Sequence, residues 1–224
     1  LAPPVQSLAD FARARYGRSA EAEALAAFLT GADDRAAWPY RVDLLGVNAP
    51  PAELLAAASR ADQVYLTRYR PDGALELRAV GAARSAADGS SLVADFEGAA
   101  RLTAADVGEV GPAGDVAVRL TWQCRAALDQ GETVFVHVWR AGEFVFSADG
   151  DSLGELVPVW EWTPGLEIED RRLLEATGLP PGEYEIWVGS YNRWDNRRRA
   201  AGSPDGRAFT DGAVPVGVFR VPAP

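Results

Sequence analysis

The sequence predicts an α+β chain: a small α/β layer over residues 1–84, then an antiparallel β-sandwich over residues 90–224, immunoglobulin-like or jelly-roll-like. Three observations predict it. Apolar residues alternate at Val116, Val118, Leu120 and Trp122, the period that lines one face of a strand. Turn marks follow at uneven intervals, Trp162-Thr-Pro-Gly165 and Pro181-Gly-Glu-Tyr184 among them, which punctuate short strands. Upstream of residue 84 the pattern instead alternates strand and helix.

The elements follow in chain order. Residues 5–30 read as helical: Leu8, Phe11, Ala12 and Arg15 keep helical spacing, Gly17 interrupts, and Ser19 caps a second run carrying Leu25, Phe28 and Leu29. Arg41–Val47 is a short apolar strand. Pro50-Pro51 opens a helix through Arg60, since proline lacks only an N–H that the first turn leaves unpaired anyway. Gln63–Tyr69 and Ala74–Val80 are strands joined by the turn Pro71-Asp72-Gly73. One β-α-β unit and a hairpin, without a glycine-rich first turn, do not make a dinucleotide fold. Residues 81–91, rich in Ala, Gly, Ser and Asp, are the expected linker.

Beyond the linker the chain reads as β. On the first clear strand Ala117, Arg119, Thr121 and Gln123 form the wet face. In the next, Val134, Val136 and Val138 alternate with Phe135, His137 and Trp139, so that strand is central or its second face carries a site. Arg140–Glu143 turns into Phe144–Phe146, and Leu156–Trp162, Glu183–Tyr191 and Val214–Val221 supply further strands. Residues 192–212 form a long polar loop or an edge hairpin.

Composition bounds function. The net charge of −10 over 224 residues argues against nucleic acid as a partner. All 22 basic residues are arginine, and the cluster Arg193, Arg197, Arg198 and Arg199 reads first as a solvated loop, with phosphate or lipid headgroup contact as the alternative. No apolar run reaches membrane-spanning length. The absence of Met leads us to expect a fragment or a processed product. The single Cys124 closes an alternating strand and reads as a buried thiol.

No catalytic constellation assembles from these residues. Gly150-Asp-Ser-Leu153 spells an esterase-type nucleophile block, but the only histidine, His137, lies upstream on a strand. A structural histidine is the default reading for it. Asp149 and Asp151 could serve calcium only without the twelve-residue loop pattern, and neither a metal nor a cofactor is expected. Glu161, Glu167, Glu169, Asp170, Glu183 and Glu185 read as a solvated rim, since glycoside hydrolysis would need two of them facing across a cleft. Among the seven Trp, Trp122 and Trp162 belong to the core. Trp187 and Tyr191 fall on the strand face opposite Tyr184, Ile186 and Val188, with Asn192, Trp194 and Asp195 just beyond. Flat aromatics beside amide and carboxylate groups suit sugar rings, unless a long loop or the α/β layer covers them.

An ordered set of these motifs resembles a known family. The strand ending in Trp122, Val134-Phe-Val-His137, Asp149, Trp162-x-Pro-Gly165, Asp170, Leu179-Pro-Pro-Gly-Glu-Tyr184, Gly189-x-Tyr191 and a last strand before a Pro-rich end are similar to the C-terminal extracytoplasmic β-sandwich of bacterial multi-span membrane glycosyltransferases. These are the enzymes akin to protein mannosyltransferases that use polyprenyl-phosphate sugars. The resemblance covers about residues 90–222 and departs at Arg193–Arg199, where a shorter turn is usual. It implies a parent attached to the membrane through an N-terminal part outside this chain, an extracytoplasmic location on the bacterial cell membrane, and no catalytic residue here. The expected function is therefore a non-catalytic accessory domain contacting glycan or a polyprenyl-linked sugar acceptor through His137, Trp139, Trp187, Tyr191, Asn192, Trp194 and Asp195. A ligand-free structural or protein-interaction domain is the alternative, and a soluble hydrolase is the remote one. Oligomeric state is not legible.

Overall fold

The computed structural model describes residues 50–61, 63–69, 75–86 and 92–223. The expected helices over residues 5–30, the strand Arg41–Val47 and the turn Pro71–Gly73 lie outside the described residues. The chain divides into two compact units, one of Leu1–Leu45 with Tyr65–Arg78, the other of Gly46–Val64 with Ala79–Pro224. Strand β1 (Val64–Tyr69) is the ladder neighbour of β2 (Leu75–Ser85), whose Leu75–Arg78 belongs to the first unit and whose Ala79–Ser85 belongs to the second. In the second, helix α1 (Pro51–Ala58) begins with proline in its first turn and buries Leu55 and Ala58. Among the described residues no helix is long and apolar enough to cross a membrane.

The rest of the second unit is antiparallel β. Its strands are β3 (Ala94–Phe96), β4 (Ala100–Val110), β5 (Asp115–Cys124), β6 (Glu132–Arg140), β7 (Glu143–Ser147), β8 (Leu166–Glu175), β9 (Gly182–Asn192), β10 (Ala201–Gly202) and β11 (Val214–Val221). One sheet runs β2-β8-β5-β4-β3-β10 and the other β11-β9-β6-β7. The core comes from the inward alternation that the sequence displays. Val116, Val118, Leu120 and Trp122 supply it from β5, Val134, Val136 and Val138 from β6, and Tyr184, Ile186 and Val188 from β9, all buried. Trp122 packs against Phe96 and Trp162 at ring separations of 5.3 and 6.0 Å, and Tyr184 stacks on Phe219 at 5.1 Å.

Several expectations change. Residues 81–85, expected to open the linker, end β2 and pair with β8, Gly81 facing Asp170 and Ser85 facing Leu166. Gly81 has φ +139°, and a Cβ there would sit 1.8 Å from the Glu169 carbonyl oxygen, so the close ladder admits no side chain. Leu156–Trp162 is not a strand. A turn at Ser152–Glu155, with positive φ at Leu153, Gly154 and Glu155, precedes it, and it contains a 3-10 turn at Val159–Glu161 that starts after Pro158. Proline cannot donate to a ladder, although Val157, Val159 and Trp162 still bury their side chains. On β5 the wet face dries out toward its end, where Thr121 and Gln123 are buried.

The acidic rim also divides. Glu161 and Glu183 are exposed, but Asp170 is buried and accepts Arg172 Nε at 2.8 Å and the Leu153 N–H at 3.1 Å. Arg172 then reaches the other sheet, donating to the carbonyls of Ala148 at 2.6 Å and Gly150 at 3.0 Å. Glu167, buried too, pairs with Arg84 at 2.6 Å. The arginine loop is likewise not merely solvated. Arg199 is buried and holds buried Glu132 through two contacts of 3.0 Å. Residues 192–212 carry the chain from the four-stranded sheet to the other sheet, where β10 pairs with β3, and back toward β11.

Candidate functional site

The outer face of the β11-β9-β6-β7 sheet gathers aromatic and polar side chains together. Period two on β6 sends Thr133, Phe135, His137 and Trp139 outward, and on β9 it sends Glu185, Trp187, Gly189 and Tyr191 outward. The ladder sets Trp139 opposite Glu185, His137 opposite Trp187, Phe135 opposite Gly189 and Thr133 opposite Tyr191. A Cβ on Gly189 would lie 2.3 Å from Phe135 Cζ and 2.5 Å from the Gly212 carbonyl oxygen. Only glycine therefore leaves room for the Phe135 ring to lie across β9. Arg198 closes over that ring at 4.8 Å, so this end of the face is covered by the chain's own loop.

The other end is more open. Phe144 of β7, 51 % exposed, stands edge-on to His137 at 5.3 Å and to Trp139 at 5.6 Å. Trp187 is half-buried and donates its indole N–H to Glu185 Oε2 at 3.0 Å. Asp149, on the stretch after β7, overhangs the centre. Its Oδ1 accepts the Val136 N–H at 3.2 Å and lies 3.5 Å from His137 Nε2, and its Oδ2 accepts the Tyr191 hydroxyl at 3.4 Å. These contacts are long for hydrogen bonds, so the carboxylate keeps acceptor capacity. Burial, reinforced by the Asp149 charge, pushes the Tyr191 phenol above its ordinary value, which keeps it a donor at neutral pH.

Beside this face Asp151 pairs with Arg193 at 2.6 Å, and the Arg193 guanidinium lies over Trp160 at 5.3 Å. Burial raises the Asp151 carboxyl, and the Arg193 charge opposes that shift. Arg193, Arg198 and Arg199 are thus engaged by acids, a ring or a carbonyl, and Arg197 pairs with Asp129 at 3.3 Å. Asp149 and Asp151 are each held by protein donors, and among the described residues no group of three or more His, Cys, Asp or Glu is placed to hold a metal ion.

The structure brings together His137, Trp139, Trp187 and Tyr191. It does not add Asn192, Trp194 and Asp195 as face residues. Asn192 caps a turn, donating to the Gln130 carbonyl at 2.8 Å and accepting the Trp194 N–H at 3.0 Å. Asp195 accepts the Arg197 N–H at 2.9 Å, and Trp194, 66 % exposed, lies against Gly131 at the start of β6. Sequence reasoning passed over Phe144, Asp149 and Glu185 as members of the face. Hairpin parity signals Phe144, and strand parity places Glu185 with Trp187. Asp149 has no local signal, because it arrives from outside a strand. The esterase motif is structural: Ser152 is fully buried, donates to the Val157 carbonyl at 3.0 Å and accepts the Trp162 indole N–H at 2.9 Å. No nucleophile is left there.

No protein-family model matches the chain, and no curated protein matches it.

Proposed function

We propose that this chain is a non-catalytic, extracytoplasmic accessory domain of a bacterial membrane glycosyltransferase, and that the outer four-stranded face contacts glycan. One observation carries the glycan reading: half-buried Trp139 and Trp187 share a face with His137, Asp149 and Glu185, whose polar atoms are only partly used inside the protein. Indole faces stack on the apolar side of a sugar ring while fixed carboxylates take its hydroxyls. The membrane parent rests on the ordered motif set from Trp122 to Tyr191. A second reading, a structural or protein-interaction domain without ligand, draws on the Arg198 cover over Phe135.

We also read the sandwich as immunoglobulin-like rather than jelly-roll-like. In chain order β4, β5, β6, β7, β8, β9 and β11 match strands A, B, C, C′, E, F and G, with β4-β5-β8 in one sheet and β11-β9-β6-β7 in the other. Tyr184, near the start of β9, donates its hydroxyl to the Pro180 carbonyl at 2.7 Å, as the tyrosine corner of that fold does.

The test is a titration followed by Trp fluorescence against bacterial wall oligosaccharides and mannans. A saturable change is expected, weakened about tenfold by Trp187→Ala, which removes roughly 1–2 kcal/mol of ring contact. A flat response across the set overturns the glycan reading and leaves the ligand-free one.

A further inference from the structure

We propose that the glycan taken by this face bears a free amine, and that its ammonium sits on Glu185 between Trp139 and Trp187. The inference rests on the glycan reading above and narrows it. Trp139 stands directly opposite Glu185, and Trp187 lies two residues on from Glu185 along β9. The two indoles are therefore a diagonal pair, whose strand positions lie roughly 7–8 Å apart, with a carboxylate at the corner between them. The Trp187 indole N–H holds Glu185 Oε2 at 3.0 Å, and no donor among the described residues reaches Oε1. Phe144, edge-on to Trp139, forms a further wall.

Charge decides the ligand class. Among the described residues no guanidinium lies within ion-pair distance of Glu185, and the arginines nearby are engaged elsewhere. Arg193 holds Asp151, Arg198 lies over Phe135, and Arg140 donates to the Pro181 carbonyl at 2.7 Å. Asp149 adds a second carboxylate to the same face. An anionic sugar would meet two carboxylates on this face. A protonated amine finds a charge-assisted acceptor in Glu185 Oε1, flanked by two indoles against which the sugar ring can lie.

The experiment measures affinity, by Trp fluorescence and calorimetry, for a glucosamine oligosaccharide, its fully N-acetylated counterpart of equal length, and an oligouronate. The amine form should bind roughly tenfold more tightly than the acetylated form, with the uronate weakest. Glu185→Gln, which keeps an acceptor for the Trp187 indole, should bring the amine form down to the acetylated level. Glu109→Gln, an exposed acid on β4, should leave the preference intact and so separate local recognition from general attraction to an acidic chain. If thermal melting shows Glu185→Gln unfolded, Trp139→Leu takes its place, with the same loss of preference expected. Equal affinity for amine and acetylated forms, or a preference that survives at Glu185, overturns this inference while the glycan reading stands. Absence of binding to all three oligosaccharides overturns this inference, and the glycan reading falls with it only if the wall oligosaccharides and mannans also give a flat response.

Discussion

Replacing Arg199 by leucine should unfold this protein more readily than any other single arginine substitution in its loop. Glu132 is 1 % exposed, and its carboxylate meets Arg199 twice, Nε to Oε1 and Nη2 to Oε2, each at 3.0 Å. Hydrogen bonding to Glu132 is the main reason the Arg199 guanidinium is held above its ordinary value. With the guanidinium gone, the Ser190 hydroxyl, at 2.5 Å, is the side-chain donor left on that carboxylate. Breaking one side of a buried pair costs about 3–5 kcal/mol, because the remaining charge is stranded. The contacts to Glu97 at 3.0 Å and Asp129 at 3.3 Å involve more exposed acids and add at most about 1 kcal/mol each. At roughly 2–4 °C per kcal/mol for a protein of this size, Tm should fall by about 6–20 °C.

Denaturant melts of variant and parent at neutral pH measure the deficit directly. Adding Glu132→Gln to the leucine variant should recover most of the loss at neutral pH. A neutral-pH deficit below about 1 kcal/mol, or one that Glu132→Gln does not reduce, refutes the reasoning.

Other expectations are simpler. Gly189→Ala should cost about 1–3 kcal/mol in chemical denaturation through overlap with Phe135 and the Gly212 carbonyl, and adding Phe135→Leu should return part of it; an unchanged midpoint for the single variant would contradict the geometry. Cys124 is fully buried, donates to the Ala126 carbonyl at 3.3 Å, and burial pushes its thiol up to about 11. Thiol reagents at mildly alkaline pH should thus label the native protein only as fast as it opens. Because the unfolded thiol ionises first, stability should decline as pH rises from about 8.5 toward 11, and Cys124→Ala should flatten that slope.

Much of the sandwich was legible, and the exceptions share a cause. β5, β6 and β9 declare themselves through apolar residues at every second position, and Trp122 and Trp162 sit in the core as their neighbours suggest. β8 was hidden. Its inward positions include Asp170 and Arg172, which satisfy each other and the Ala148–Leu153 stretch instead of presenting an apolar stripe. Such pairing joins residues far apart in sequence, and no local pattern encodes it. β4 was obscured by its Ala, Gly and Asp content, residues depleted in strands.

The candidate face shows the same division. Parity alone groups His137 with Trp139 and Trp187 with Tyr191. Ladder register, which parity does not give, sets Trp139 against Glu185. Parity ends where β9 ends. Asn192, the last residue of β9, alternates to the side opposite Tyr191, and Trp194 and Asp195 follow turn geometry, with Asn196 at φ +58°, so their proximity in sequence to Tyr191 does not place them on its face.

The placement of β8 also governs how the chain must assemble. It is the wedge between β2 and β5, and Gly81 meets Asp170 only after the whole β3–β7 segment has been made. Until residues 166–175 arrive, two strand edges stand open, each able to recruit a stray neighbour. A nascent chain stalled before this wedge is therefore the species most prone to aggregate, and shortening that wait would raise the yield of folded protein.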